Sequence, residues 1–181
     1  MPGSAAADVA ALALARQPTL GDGRLVCVDG PAGAGKTTLA TAVAALHPHA
    51  ALVHLDDLYE GWDGLPRLTV QLDGLLRPLA DRRSGSYRRY DWEEGRFAET
   101  RWVAPAPVLV LEGVGAGSLD HADLTTVLVW VEAPYDVRMA RGLARDGEAF
   151  APHWKRWAAG EVEYFRRHDT RGRADLILTT A

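Results

Sequence analysis

The chain has 181 residues, of which 48% are hydrophobic and 24% are charged, a balance typical of a globular protein of one domain. Its formal net charge of −4 gives no electrostatic reason to expect nucleic acid or an anionic membrane as a partner. The single cysteine, Cys27, excludes an internal disulfide and a metal site built from several cysteines. No apolar run approaches about 18 residues, so we predict no membrane-spanning helix and expect a cytoplasmic protein.

The chain alternates short apolar runs with segments of helical periodicity. Residues 1–20 are apolar but lack the basic leader of a signal peptide, and they predict a helix ahead of the first strand. Continuous apolar runs indicate strands covered on both faces. Their alternation with helices predicts one α/β domain over 1–181, with a five-stranded, mostly parallel sheet and helices on both faces. The predicted strands are 24–28, 51–55, 107–112, 125–131 and 174–180. The predicted helices are 36–47, 67–83, 135–147 and 153–168, with Pro78 expected to kink or end the second of them.

One segment departs from this alternation. Residues 84–105 are rich in aromatic and polar side chains, and Glu94 and Gly95 form a candidate turn between two short extended arms. We predict a small hairpin insertion here. Tyrosine, tryptophan and arginine near the ends of the strands are suited to covering a substrate, and an amphipathic hairpin at the edge of the sheet fits the same pattern.

The segment "GPAGAGKTT" at 30–38 contains the motif G-x-x-x-x-G-K-[ST] between a predicted strand and a predicted helix. Glycines allow successive backbone N–H groups to surround phosphates, and the N-terminus of the helix adds positive potential. Lys36 can reach the β- and γ-phosphates, and the Thr37 hydroxyl can bind Mg²⁺. The motif therefore predicts a P-loop NTPase or kinase fold that uses ATP and Mg²⁺. The predicted nucleotide-binding residues are Gly30, Ala32, Gly33, Ala34, Gly35, Lys36, Thr37 and Thr38.

The rest of the sequence narrows the destination of the terminal phosphate. Ras-type GTPases read guanine through an Asn-Lys-x-Asp segment, and this chain contains no asparagine. Motor and AAA-type ATPases carry an Asp-Glu pair after a strand, and no such pair follows a predicted strand here. The length and the acids at strand ends favour a small-molecule kinase, with ATP and GTP both open as donor.

Three acidic residues follow predicted strands, at the edge where open α/β sheets bind ligands. Asp56 and Asp57 come after the second predicted strand, and Glu112 ends the third. A carboxylate at this edge can accept the proton of an attacking hydroxyl or hold Mg²⁺. We predict Asp56 as the catalytic base and, together with Thr37 and Glu112, as a magnesium ligand. Capping of the following segment is the alternative for all three acids.

Three arginines share one face of the predicted helix that follows the fourth strand. Arg138, Arg141 and Arg145 are spaced i, i+3 and i+7 in a lid region predicted over 135–150. An arginine that neutralises the equatorial oxygens of a transferring phosphoryl group can lower the barrier by about 4–7 kcal/mol. Arg138 and Arg141 are therefore predicted to be catalytic with Lys36, while Arg145 is expected on a solvated face.

Five segments in this order resemble the uridine kinase-like group of P-loop kinases, which is related to phosphoribulokinase and pantothenate kinase. They are "GPAGAGKTT", "LDDLY", "YDW", "VLEGVGA" and "DVRMARGLARD". The resemblance implies a general base at Asp56, an acceptor neighbour at Tyr59 and a substrate hairpin around 90–92. The histidine typical of that hairpin is absent, since Glu93 and Glu94 follow the motif. The predicted acceptor-binding residues are Asp57, Tyr59, Tyr90, Trp92 and Arg96.

The sequence thus predicts transfer of the γ-phosphate of ATP to a hydroxyl of a small molecule, with a nucleoside as the leading acceptor. A nucleoside monophosphate kinase of the cytidylate kinase type is one alternative, in which Arg88, Arg89 and Arg96 of the hairpin hold an anionic acceptor. A nucleotide-binding regulatory module with little turnover is the other. A homo-oligomer is compatible with the sequence.

Overall fold

The structure is a computed structural model that describes residues 2–147 and 151–181. Residues 148–150, the end of the predicted lid region, lie outside the described residues. The elements in chain order are α1 (Pro2–Ala15), β1 (Arg24–Asp29), α2 (Lys36–Ala45), β2 (Ala51–His54), α3 (Leu68–Ala80), β3 (Gly85–Asp91), β4 (Arg96–Val103), β5 (Val108–Glu112), β6 (Val127–Glu132), α4 (Tyr135–Asp146), α5 (Ala151–His168), α6 (Thr170–Arg173) and β7 (Leu176–Thr179).

Five strands form one sheet in the order β2-β5-β1-β6-β7, and all four pairings are parallel. Parallel neighbours need crossover connections, which the intervening helices supply. The strand order reverses beside β1, so the carboxyl end of β1 lies at a topological switch point, where such sheets bind ligands. The predicted α/β class with a five-stranded parallel sheet is confirmed.

Alternating side chains of each strand pack against different helices, so the sheet is covered on both faces. In β1, Val26 and Val28 belong to a cluster with α1 and α2. Leu25 and Cys27 belong to a second cluster that contains the leucines of α3 and Trp157 of α5. This two-sided burial explains why the strands are continuous apolar runs, and it confirms the predicted helices on both faces.

Helix α3 continues through Pro78 and ends at Ala80, three residues before the predicted end of this helix. Strand β7 is shorter than the predicted 174–180, and just before it the Asp175 carboxylate accepts the backbone N–H of Leu128 (2.9 Å) and pairs with Arg16 (2.8 Å).

Strands β3 and β4 form an antiparallel hairpin separate from the main sheet, with a turn over residues 92–95. The hairpin packs on α3, where the Gln71 side chain bonds both the N–H and the C=O of Arg88 at 3.1 Å. Gly85 lies so close to α3 that a Cβ there would be 1.9 Å from the carbonyl oxygen of Leu75. The hairpin is therefore fixed to the body of the molecule at its base.

Within residues 2–147 and 151–181, no helix combines the length with the apolar character needed to cross a bilayer.

Candidate active site

A cleft with a volume of about 1730 Å³ opens at the carboxyl ends of the strands. The loop after β1, Asp56 after β2 and Glu112 at the end of β5 all line it. A pocket for one drug-sized ligand occupies roughly 300–1,000 Å³. The cleft therefore has room for a nucleotide and a second small molecule side by side.

The segment 30–38 forms the floor of the cleft. Gly30 has φ +138°, and a Cβ there would lie 2.0 Å from the carbonyl oxygen of Val131, so the chain can pass β6 only as glycine. Gly30 and the fully buried Ala34 lie behind the surface that faces the cleft. The residues of this loop that line the cleft are Ala32, Gly33, Gly35, Lys36, Thr37 and Thr38.

Helix α2 begins at Lys36 directly after this loop, with Gly35 in a left-handed conformation (φ +94°) as its N-cap. The first N–H groups of a helix have no partner inside the helix and attract anions. The Lys36 side chain is largely buried, and its Nζ donates to the carbonyl oxygen of Pro31 at 3.0 Å. Backbone donors and one ammonium group are thus gathered at one end of the cleft.

Thr37 and Glu112 meet beside this loop. The Thr37 hydroxyl donates to Oε1 of Glu112 at 3.0 Å, and Nδ1 of His54 lies 2.6 Å from the same oxygen. A hydroxyl and a carboxylate are hard oxygen ligands that suit Mg²⁺, which usually takes few protein ligands and completes its shell with phosphate and water. No cluster of three or more acidic, histidine or cysteine residues suited to a metal occurs in the described part of the chain.

Asp56 and Asp57 lie in a short 3₁₀ turn, Leu55–Asp57, that follows β2. Both line the cleft. The Asp57 carboxylate pairs with Arg101 of β4 at 3.2 Å, and the backbone oxygen of Asp56 accepts the indole N–H of Trp92 at 2.9 Å. The turn that carries the predicted base is therefore attached to the hairpin at two points.

Tyr59 forms part of the cleft wall but is only 1% exposed. Its hydroxyl donates to the carbonyl oxygen of Val114 at 2.7 Å, and its ring meets Trp157 edge to face at 5.0 Å. Burial, reinforced by the nearby carboxylate of Asp56, holds the pKa of the Tyr59 hydroxyl well above its usual range. The residue packs the wall and stays neutral.

Four rings line the end of the cleft that faces the hairpin, and we call them the aromatic cluster. Trp62 stacks on His153 with ring centroids 4.8 Å apart and an interplanar angle of 3°. Trp92 and Trp157 meet Trp62 edge to face at 5.1 Å and 6.1 Å. The members of the aromatic cluster are Trp62, Trp92, His153 and Trp157.

Two of the predicted acceptor-binding residues lie outside the cleft lining. The Tyr90 ring packs between Trp92 and Phe97 at centroid distances of 5.3 Å and 5.4 Å. Arg96 is exposed at the hairpin turn, 3.7 Å from Glu94. Tyr90 therefore supports Trp92 from behind, and the structure does not bring Arg96 to the cleft.

The lid arginines are placed differently from the sequence expectation. Arg141 and Arg145 line the cleft, whereas Arg138 does not. The guanidinium of Arg138 donates to the carbonyl oxygens of Ala32 and Ala133, both at 3.2 Å. Arg141 and Arg145 therefore reach the cleft, whereas the side chain of Arg138 packs against the phosphate loop.

Sequence reasoning missed three polar residues around the phosphate loop. His54 was predicted only as a strand residue, and its contact with Glu112 was missed. Its position just before the acidic turn was an available signal. Asp29 ends β1 and accepts N–H groups of three glycines at 2.7–3.0 Å, while burial raises its pKa to about 6. Glu161 in α5 accepts the backbone N–H of Ala32 at 2.7 Å. The last contact joins residues 129 positions apart, which no local pattern reveals.

Comparison with known proteins supports the resemblance to the uridine kinase-like group. The model of the Phosphoribulokinase / Uridine kinase family matches residues 70–149. Two curated relatives are uridine kinases of Borrelia duttonii and Borrelia turicatae. They are 24% and 25% identical over 138 residues, which span 68% of this chain and 67% of each relative.

Solved structures agree at the level of the fold. A protein of Bacillus stearothermophilus described as a possible uridine kinase is similar with a TM-score of 0.67 and 20% identity, over 97% of both chains. A Silicibacter protein provisionally assigned as a fructose transport system kinase has a TM-score of 0.66 and 20% identity, over 95% of this chain and 98% of its own. The comparisons confirm the resemblance to the phosphoribulokinase and uridine kinase family, and the protein has the P-loop kinase fold.

Proposed function

We propose that the protein transfers the γ-phosphate of ATP, with Mg²⁺, to a hydroxyl group of a small neutral molecule, with a nucleoside as the leading class of acceptor. One observation carries this proposal. The phosphate loop, the Thr37–Glu112 pair and Asp56 line the same cleft, which has room for two ligands. Donor, metal ligands and base can therefore act on one reacting centre.

The donor end binds and orients the triphosphate. The backbone of residues 33–38 and the N-terminus of α2 would bind the phosphates of the nucleotide, and Lys36 would supply positive charge beside them. Thr37 and Glu112 would hold Mg²⁺, which when bound neutralises charge on the β- and γ-phosphate oxygens. Arg141 of α4 adds a guanidinium to the same cleft.

Asp56 acts on the acceptor. Its carboxylate takes the proton of the acceptor hydroxyl while the hydroxyl oxygen bonds to the γ-phosphorus and the bond from that phosphorus to the bridging oxygen of ADP breaks. The products are ADP, the phosphorylated acceptor and a proton that Asp56 returns to solvent. The Trp92 contact to the Asp56 backbone holds the turn that carries this carboxylate.

The charge of the acceptor end favours a neutral acceptor. Asp56, Asp57 and Glu93 line this part of the cleft together with the aromatic cluster. A phosphate group on the acceptor would be repelled by the carboxylates of Asp56 and Glu93, whereas Arg101 offsets the charge of Asp57. The flat rings and the acids suit a base or sugar that stacks and donates hydrogen bonds.

The hairpin arginines that a nucleoside monophosphate would require are engaged elsewhere. Arg89 pairs with Glu99 at 2.7 Å and with Asp91 at 3.2 Å. Arg88 lies over the ring of Phe97, with its Cζ 5.0 Å from the centroid. Neither residue lines the cleft. These contacts support a neutral acceptor over an anionic one.

The test is ADP release from MgATP, measured alone and with a panel of nucleosides, nucleoside monophosphates, sugars and small alcohols. A large increase with one neutral acceptor, accompanied by its phosphorylated product in the mass spectrum, is the expected result. Acceleration only by nucleoside monophosphates would instead establish the cytidylate kinase-like alternative. No acceleration by any acceptor, despite tight nucleotide binding, would favour the regulatory module.

A further inference from the structure

Glu161 is a buried carboxylate beside the phosphate loop that the proposed chemistry does not use. It lies in α5, and its side chain is 3% exposed. Its Oε1 accepts the backbone N–H of Ala32 and the indole N–H of Trp157, both at 2.7 Å. A buried carboxylate is costly unless it is well bonded, so these two donors account for its stability in the core.

Arg138 of α4 completes the arrangement around Ala32. Its Nη1 donates to the carbonyl oxygen of Ala32 at 3.2 Å and lies 3.9 Å from Oε2 of Glu161. Both backbone polar groups of Ala32 are therefore bonded to side chains, the N–H to α5 and the C=O to α4. Because both backbone polar groups of Ala32 have side-chain partners on neighbouring helices, the two hydrogen bonds restrain this part of the loop.

The next residue of the loop is restrained by the same helix. Gly33 has φ +77°, and a Cβ there would lie 2.4 Å from the backbone oxygen of Arg138. Arg141 donates to the carbonyl oxygen of Gly33 at 3.3 Å. Residues 32 and 33 of the phosphate loop thus contact α4 and α5 directly. Both helices lie outside the sequence motif that defines the loop.

The charge of Glu161 works against a phosphate ligand. Burial raises the pKa of Glu161, and the nearby Lys36 ammonium opposes this effect most strongly. A carboxylate near Lys36 weakens the pull of that ammonium on an incoming phosphate. Electrostatics alone therefore predicts that loss of this charge tightens nucleotide binding, and any benefit from Glu161 must come from the geometry that it imposes.

We propose that Glu161 is a positioning residue that holds Ala32, and through it the phosphate loop, in the conformation that binds the nucleotide. The loop then does not have to be ordered when the nucleotide arrives, which is the general advantage of preorganisation. This inference rests on nucleotide binding by the loop. It assigns to α5 a part in that binding that depends on the length of the Glu161 side chain and not on its negative charge.

Two matched substitutions separate the effect of side-chain length from the effect of side-chain charge at Glu161. Glu161→Asp keeps the charge but is one methylene shorter, so its carboxylate withdraws from Ala32. Glu161→Gln keeps the length and an oxygen that can accept both N–H groups, but it is neutral. The probe is MgADP, with its Kd measured by isothermal titration calorimetry on protein whose folding is checked by circular dichroism and thermal unfolding.

We expect Glu161→Asp to raise the Kd for MgADP about tenfold, whereas Glu161→Gln stays within about twofold of wild type. Hydrogen exchange of residues 30–38 should quicken in the first variant and not in the second. A merely structural role would lower the melting temperature of the Asp variant without changing the Kd of its folded protein.

Other outcomes overturn the inference. A Kd for MgADP equal to that of wild type in a folded Glu161→Asp variant would contradict it. An equal rise in this Kd in both variants would contradict it as well. If the Asp variant does not fold, the Gln variant decides, since clearly tighter binding than wild type would show that charge outweighs positioning. Failure of the wild-type protein to bind MgADP would remove the proposed function and this inference with it. Tight wild-type binding with no effect of Glu161→Asp would remove the inference alone.

Discussion

The two ends of the cleft are built by different means. The phosphate end consists of one continuous segment, residues 30–38, and most of its donors belong to the backbone or to the start of α2. The acceptor end combines side chains from three parts of the chain: the segment around Asp56 and Trp62, the hairpin with Trp92, and α5 with His153 and Trp157. The first end depends on backbone conformation and the second on how distant elements pack.

This difference separates generic from specific functions of the site. Backbone N–H groups recognise any phosphate, so the phosphate end suits any nucleoside triphosphate. Stacked rings and carboxylates discriminate by shape and hydrogen bonding, so the acceptor end sets the substrate. Changes at one end should therefore leave the affinity of the other ligand nearly unchanged, which is the basis of the following predictions.

The largest effect is expected where the two ends meet, at Asp56. Asp56→Asn removes the proton acceptor while keeping the shape, so turnover with the best acceptor should fall about 10²–10⁴-fold. The Kd for MgADP should stay within about twofold, because Thr37 and Glu112 would still hold the metal; a larger rise would indicate that Asp56 is also a magnesium ligand, as the sequence predicts. Steady-state kinetics and calorimetry measure the two quantities.

Asp57→Asn is the matched control, because the carboxylate of Asp57 is paired with Arg101 and a neutral amide can still accept from it. Its turnover should fall much less than that of Asp56→Asn. Unchanged turnover in Asp56→Asn would remove Asp56 from the mechanism.

The next largest effect tests the backbone of the phosphate end. Gly30→Ala forces a Cβ to within 2.0 Å of the carbonyl oxygen of Val131 at φ +138°, so strain and overpacking should lower the free energy of unfolding by about 3 kcal/mol. Gly160→Ala is the control, since nothing lies within 4 Å of its added Cβ in α5. It should stabilise the protein by about 0.5–1 kcal/mol. Urea unfolding compares them, and equal stabilities would contradict the close approach at Gly30.

The same contrast explains how much the sequence reveals. The position of the phosphate loop between β1 and α2 was predictable, because a local run of glycines with a lysine and a threonine is recognisable within nine residues. The strands and both helical layers followed from apolar runs and helical periodicity, since these depend on short stretches of chain. Asp56 and Glu112 were also accessible, because parallel strands bring their carboxyl ends to one edge.

The directions of the side chains in α4 and in the hairpin could not be predicted from the sequence. Helical spacing put Arg138, Arg141 and Arg145 on one face, but only packing shows that Arg138 turns to Ala32 while Arg145 reaches the cleft. Similarly, Tyr90 belongs to the hairpin motif and yet supports Trp92 from outside the cleft. Such outcomes depend on contacts between residues far apart in sequence, which a single chain read locally does not contain.

A smaller effect is expected from the aromatic cluster. Trp62→Ala removes the ring that stacks on His153, and stacking on an aromatic ring contributes about 1–3 kcal/mol per base. The KM for a nucleoside acceptor should therefore rise about tenfold or more, with the KM for MgATP nearly unchanged. Trp102→Ala is the control, because that ring is 72% exposed and lies outside the cleft lining. A rise in the KM for MgATP as large as that for the acceptor would show that the two ends are not independent.

The smallest effect concerns Asp29, which supports the phosphate end from behind. Its pKa is raised to about 6 by burial, from an ordinary value of 3.8. The folded protein therefore holds this proton more tightly than the unfolded chain does, and the stability that it contributes is greatest below the ordinary value and falls as the pH rises towards 6.

Asp29→Asn isolates this contribution, because the amide does not titrate while all other groups remain. One oxygen of the amide can still accept from Gly30 and Gly115, but its NH₂ group then faces the N–H of Gly117, which lowers stability by about 1–3 kcal/mol at any pH. Between pH 7 and pH 5 the wild type should gain about 1.4 kcal/mol relative to the variant, measured by urea unfolding at both values. A difference in stability that stays constant between the two pH values would mean that Asp29 remains ionised throughout this range. The three glycine N–H groups would then outweigh burial, and the phosphate loop would rest on a permanent negative charge.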